Sequence, residues 1–197
     1  MPGSGGMGWT YKLHGGTAAG LSAVLLMLAA LTWLPGTLPL TGSPWPLVVI
    51  FLLLFPIFAG ALLRLILAGP EKHLLRLAFR CLPGKVQAAL GVLVVSGVVL
   101  AVLGMGSAGS LQSPEIRDGR YYVLDTTPYA RGEIEVSYSQ YIAVVESDQR
   151  MMYVIPGLLF AAAALLAFTA GELRRADNGL RSSQPTGFDH TGPSHSP

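Results

Sequence analysis

The sequence predicts an all-α membrane protein: four transmembrane helices with a small extracytoplasmic β-hairpin between helices 3 and 4. Three observations carry that class. Four apolar runs, Thr17–Leu34, Leu47–Ala68, Val86–Ser107 and Met151–Gly171, hold a single strongly charged residue, Arg64. About 20 apolar residues at ~1.5 Å each cross the hydrocarbon core of a bilayer. Only 12% of the 197 residues are charged, about half the share of a soluble domain. Lastly, the basic residues gather on one side of the runs.

That asymmetry sets the topology. Cytoplasmic loops keep the excess of Lys and Arg. Lys12 precedes run one; Lys72, Arg76, Arg80 and Lys85 lie between runs two and three; Arg174, Arg175 and Arg181 follow run four. The segment between runs three and four instead sets Arg117, Arg120, Arg131 and Arg150 against Glu115, Asp118, Asp125, Glu133, Glu135, Glu146 and Asp148. The expected arrangement is N-in and C-in, multi-pass, in the plasma (cytoplasmic) membrane, with the acidic segment outside.

Residues 1–16 read as a flexible cytoplasmic N-terminus, and residues 17–107 as transmembrane helices 1–3. Lys12 and His14 make a weak basic region, and Leu34-Pro35-Gly36-Thr37 lacks a small-x-small cleavage site. Run one therefore reads as a retained span rather than a signal peptide. The uncharged loop Pro35–Pro46 contains Leu38-Pro39-Leu40-Thr41-Gly42, which matches the L-P-x-T-G sorting signal. Such a signal belongs at the C-terminus of an exported passenger, so the match reads as chance. Trp33 and Trp45 flank this loop and suit the outer interface. Pro56 in run two and Pro156 in run four each remove a backbone hydrogen bond and bend their helices. Arg64, four residues before Ala68, is expected to snorkel to the headgroups.

An interfacial basic helix is predicted at residues 71–82. Leu74, Leu75, Ala78, Cys81 and Leu82 fall on one face, with Lys72, Arg76 and Arg80 on the other, a pattern for the inner leaflet. Pro83-Gly84 ends it. Cys81 is the single cysteine, so no intramolecular disulfide forms. Small residues recur four apart at Gly16-Gly20, Gly97-Ala101, Gly157-Ala161 and Ala163-Ala167-Gly171, a spacing expected to serve packing within the bundle.

Residues 108–150 form an extracytoplasmic hairpin-plus-helix module. Ala108–Ser113 reads as a linker and Asp118-Gly119 as a turn. Tyr121–Leu124 and Glu133–Val136 read as strands. Ser137-Tyr138-Ser139-Gln140 fits a capping box, and Tyr138, Tyr141, Ile142 and Val145 share one helical face. Glu146 and Arg150 form an i, i+4 pair. Nothing interrupts this helix before transmembrane helix 4 at residues 151–171, so helix 4 is expected to begin about 20 Å outside the membrane. The hairpin is expected to lean on its tyrosines. Residues 172–197 read as a disordered cytoplasmic tail.

Arg120-Tyr121-Tyr122, Glu135-Val136-Ser137, Tyr141 and the polar stretch that runs into the last span resemble small, uncharacterised four-span integral membrane proteins of high-GC actinobacteria. The likeness covers about Gly119–Ala170. Thr127-Pro128-Tyr129-Ala130 stands where those proteins often carry a His-Gly or Asn-rich turn. The resemblance implies the topology and no catalytic activity.

No chemistry-bearing motif appears. His14, His73, His190 and His195 have no ligand spacing, so no metal is expected. There is no G-x-S-x-G and no glycine loop for a nucleotide, so no cofactor is expected. The basic residues form no aromatic-interleaved stripe for nucleic acid. Runs one, three and four contain no Asp, Glu, Lys, Arg or His, which argues against an ion-coupled carrier built from one chain. The expected partners are the lipid bilayer and another membrane or extracytoplasmic protein, with Tyr121, Tyr122, Tyr129, Tyr138 and Tyr141 as contacts. The leading expectation is a non-enzymatic accessory, sensing or protective protein acting through its external module. The alternative is a subunit of a homo-oligomeric transporter or pore, with Ser22, Thr32, Ser96 and Thr169 facing a shared lumen.

Overall fold

The computed structural model describes residues 8–34, 45–69, 72–106 and 109–182. The L-P-x-T-G match at Leu38–Gly42, His190 and His195 lie outside the described residues. The elements in chain order are α1 (Trp9–Leu31), α2 (Trp45–Ala68), α3 (Lys72–Cys81), α4 (Gly84–Met105), β1 (Leu111–Arg117), β2 (Arg120–Asp125), β3 (Gly132–Val136) and α5 (Tyr138–Ser182). Helices α1, α2, α4 and α5 are each long and apolar enough to cross a membrane, so the chain is a multi-pass membrane protein. The three-stranded antiparallel sheet lies between α4 and α5.

Three boundaries differ from those expected. Helix α1 begins at Trp9, not near Thr17. Lys12, His14 and two glycines mask its first turns in the hydropathy pattern, yet Tyr11, Gly15, Ala18 and Ser22 already form its buried stripe. His14 and Lys12 therefore belong to the helix, and the His14 Nε2 lies 2.9 Å from the Ile57 carbonyl oxygen of α2. Helix α5 continues to Ser182, where a disordered tail was expected from residue 172. Its added turns pack on the start of α1, and Arg174 donates to the Tyr11 hydroxyl at 3.0 Å. The expected two-stranded hairpin is a three-stranded meander, because Leu111–Arg117 forms an edge strand.

Helix α5 is the pillar of the molecule. Its 45 residues span roughly 68 Å at 1.5 Å per residue, about twice the hydrocarbon thickness. The helix continues through Pro156. Its N-terminus carries the expected capping box: the Ser137 N–H donates to Gln140 Oε1 at 3.1 Å and the Gln140 N–H to Ser137 Oγ at 3.4 Å. Helices α1, α2 and α4 gather around α5, while the backbones of α1 and α2 stay apart and meet through side chains such as His14 and Arg64.

Close approach depends on glycine sockets. Leu158 of α5 fills the space beside Gly97 of α4, Leu26 of α1 covers Gly157, and the Phe168 ring lies over Gly15. A Cβ at Gly15 would fall 2.8 Å from that ring. Ala161, Ala163 and Ala167 of α5 are fully buried. In lipid such packing, rather than expulsion of water, holds helices together. The Gly16-Gly20 ladder takes no part, since a Cβ at either would meet nothing within 4 Å. Gly15, one residue earlier, is the packing glycine. The hydroxyls of Ser22, Thr32 and Thr169 are buried inside the single-chain bundle. Thr32 and Thr169 bond carbonyls of their own helices at 2.7 Å.

Candidate functional site

The sheet module is the most individual part of the chain. Strands β1 and β2 are joined by Asp118-Gly119, with φ of 48° and 76°, the left-handed pair that a two-residue type I′ turn needs. β1 opposes β2 through Leu111↔Asp125, Glu115↔Tyr122 and Ile116↔Tyr121, with a register shift between Gln112 and Glu115. Ser113 sits there at φ 52°, followed by Pro114, which a central strand would not accept. This bulge explains why no alternating pattern announces β1. β3 opposes β2 through Tyr121↔Val136, Val123↔Ile134 and Asp125↔Gly132.

Strand periodicity puts Tyr121 and Val123 on one face and Tyr122 and Leu124 on the other. The first face meets α5. Tyr121 lies between Tyr138 at 5.2 Å and Tyr141 at 5.0 Å, both tilted, a geometry favoured by ring quadrupoles. Val123 beside it is buried. The helix covers only part of this face, so Ile116, Ile134 and Tyr138 remain exposed around the cluster.

The second face is a charge lattice. The Arg117 guanidinium donates to Glu115 at 2.6 Å and to Glu133 at 2.9 Å, and lies 5.8 Å from the centre of the Tyr122 ring. Arg120 reaches Glu135 at 3.3 Å. The hydrogen bond from Arg117 holds the Glu115 carboxyl below the usual range, and Glu115 and Glu133 together hold Arg117 above its own. All these groups are exposed, so the lattice sets shape and charge pattern more than stability.

A polar corner braces the loop between β2 and β3. Asp125 Oδ1 accepts from the Thr127 hydroxyl at 2.6 Å, the Thr127 N–H at 2.8 Å and the Ser110 hydroxyl at 2.7 Å. These bonds, those from Thr127 foremost, hold the Asp125 carboxyl below its ordinary value. The Thr126 N–H and hydroxyl donate to the Ser110 carbonyl at 2.9 and 2.7 Å. From this braced corner Tyr129 projects fully into solvent, at φ 73°.

Besides the tyrosine packing, two polar contacts mark the place where module and bundle meet. The Ser113 N–H of the bulge donates to Asp148 of α5 at 3.2 Å. Arg150 feels the charge of Glu146, as their i, i+4 spacing predicts, and also turns its guanidinium to the end of α1. Its Nε donates to Thr32 Oγ1 at 3.1 Å, Nη2 reaches the Thr32 carbonyl at 3.4 Å, and the guanidinium lies 4.0 Å from the centre of the Trp33 ring. Only 4% of Arg150 is accessible. No sequence pattern joins Arg150 to Thr32 and Trp33, which lie more than a hundred residues away in the chain.

The five tyrosines expected to contact a partner thus occupy three settings. Tyr138 and Tyr141 pack on Tyr121, Tyr122 lies beneath Arg117, and Tyr129 stands alone at the loop tip. Among the described residues no group of three His, Cys, Asp or Glu side chains is placed to hold a metal. Comparison with protein families, curated proteins and solved structures returned no match, so the functional reading rests on this geometry.

Proposed function

We propose that this polytopic membrane protein is a non-enzymatic accessory or sensing protein, whose sheet module docks another membrane or extracytoplasmic protein from the outer face of the membrane. The observation that carries the reading is Tyr129. A large ring held fully exposed, in a backbone region that costs a non-glycine residue roughly 1–2 kcal/mol, is a feature to be explained by use. Tyrosine is enriched at protein interfaces, and the braced Asp125 corner supplies the rigidity that lowers the entropy cost of binding. Exposed Ile116, Ile134 and Tyr138 offer apolar surface on the same module. The continuous α5 would carry a displacement at the module through the membrane. The N-in, C-in orientation is part of the proposal. Lys12, Arg64, Arg76, Arg80, Lys85, Arg174 and Arg175 belong to the bundle end opposite the sheet, and such an excess marks the cytoplasmic side.

Crosslinking in native membranes, followed by affinity purification on a C-terminal tag, tests the reading. A reproducible partner should be recovered with the wild type and lost with Tyr129→Gly, which relieves the backbone strain and leaves the module folded. A partner set unchanged by that substitution would remove the basis of the proposal. The pore alternative is not favoured, because Ser22, Thr32 and Thr169 are enclosed within one chain, and Ser96, the one of the four that is partly exposed, bonds the Val92 carbonyl of its own helix at 2.7 Å.

A further inference from the structure

At the end of the bundle opposite the sheet, a groove of about 850 Å³ opens between the first turn of α1, the last turn of α2 and the final turns of α5. Two arginines from different helices converge there on one tyrosine. The Arg64 guanidinium lies 4.9 Å from the centre of the Tyr11 ring, and its Nη1 donates to the Thr10 carbonyl at 2.9 Å. The Arg174 Nη1 donates to the Tyr11 hydroxyl at 3.0 Å. Tyr11 itself is buried, so ring and hydroxyl fix both cations from below.

Among the described residues neither guanidinium meets a carboxylate. The nearby Glu172 is taken by Arg175 at 3.6 Å. Asp177 also lines the groove and moderates its charge. An arginine carries five N–H donors, and each of these two spends one on the protein. The remainder form forks of the kind that binds phosphate oxygens in bidentate fashion. Leu67 and Leu180, both exposed, form apolar walls beside them. Paired guanidiniums next to aliphatic surface, at the end of a membrane-spanning bundle, match a phosphate that carries acyl chains.

We propose that this groove binds the phosphate of an anionic phospholipid headgroup, with Arg64 and Arg174 as its ligands and Tyr11 as the positioning residue. The site is separate from the sheet module and does not depend on docking there. A soluble phosphate would share the chemistry of the arginines but leave the apolar walls unused.

The test uses the purified full chain in neutral detergent, titrated with dioleoylphosphatidylglycerol, dioleoylphosphatidylcholine or inorganic phosphate, and read by thermal unfolding and native mass spectrometry. Phosphatidylglycerol should bind and raise the unfolding midpoint, and phosphatidylcholine and inorganic phosphate should not. Arg174→Gln, at an exposed position that leaves the fold intact, should weaken phosphatidylglycerol about tenfold or more, and R64Q should do the same. Arg80→Gln on the basic helix α3 should cost no more than about fivefold, the effect of one unspecific surface cation. Unchanged binding in R174Q, or an equal loss in R80Q and R174Q, would overturn the proposal. Equal stabilisation by inorganic phosphate would overturn the lipid as the source.

Discussion

Alanine at Gly97 and alanine at Gly16 should have opposite effects, and the contrast probes how the bundle is held. A Cβ at Gly97 would lie 2.5 Å from Leu158 Cδ2, 2.9 Å from Leu158 Cγ and 3.4 Å from Leu26 Cδ2. Moving one methyl does not clear this site, since Cγ is also too close and Leu26 has little room to yield, its Cδ2 lying only 3.1 Å from where a Cβ on Gly157 would stand. Overpacking of this kind costs about 1–3 kcal/mol. The better helix propensity of alanine returns up to about 1 kcal/mol. Gly97→Ala should therefore destabilise by about 1–2 kcal/mol. At Gly16 a Cβ meets nothing within 4 Å, so only the propensity gain of about 0.5–1 kcal/mol remains. The two variants should differ by about 2 kcal/mol. Titrating the purified protein in mixed micelles with an anionic detergent, with tryptophan fluorescence as the signal, measures the difference. Equal stabilities, or a Gly16→Ala variant weaker than Gly97→Ala, would refute this packing and point to the Gly16-Gly20 face as the tight one.

Three further outcomes follow from single contacts. Arg150→Ala removes a charge-assisted hydrogen bond to Thr32 and the contact with Trp33, while also relieving a buried charge. It should cost about 2 kcal/mol in the same titration, with Thr32→Val costing about half as much. Asp125→Asn should loosen the corner between β2 and β3 near neutral pH. The folded carboxyl titrates below its unfolded value, so its contribution is complete above about pH 4 and fades as pH falls through the folded value. The gap between wild type and D125N in near-ultraviolet circular dichroism of the tyrosines should thus close in acid. Ser22→Ala should be neutral or stabilising by up to about 1 kcal/mol, because the Ser22 hydroxyl is buried without a partner among the described residues. A clear destabilisation would show that the hydroxyl is bridged.

The sequence made the four spans legible because hydropathy over about 20 residues is a strong signal. The capping box at Ser137 and the Asp118-Gly119 turn were equally readable, since each rests on local chemistry. Local breaks hid other features. The bulge at Ser113 with Pro114 erased the alternation of β1, and Lys12 and His14 masked the first turns of α1. Glu172, Arg174 and Arg175 resembled the start of a tail, although their turns extend α5 against Tyr11. The long-range meetings of Arg150 with Thr32, of Arg64 and Arg174 at Tyr11, and of Leu158 with Gly97 depend on how helices are placed. No spacing in the chain encodes them. The tyrosines were visible as a group, but which of them pack and which project was decided by strand register.

Placing the sheet module outside and the Tyr11 end inside is the central claim, and cysteine labelling tests it most directly. Single cysteines at Asp118 and at Asn178 are introduced into a Cys81→Ser background, and the wild type reports on exposed Cys81 itself. A membrane-impermeant maleimide should label the cysteine at position 118 in intact cells, and should reach position 178 and native Cys81 only after permeabilisation. Labelling of position 178 in intact cells, with position 118 protected, would put the module on the cytoplasmic face and contradict the account.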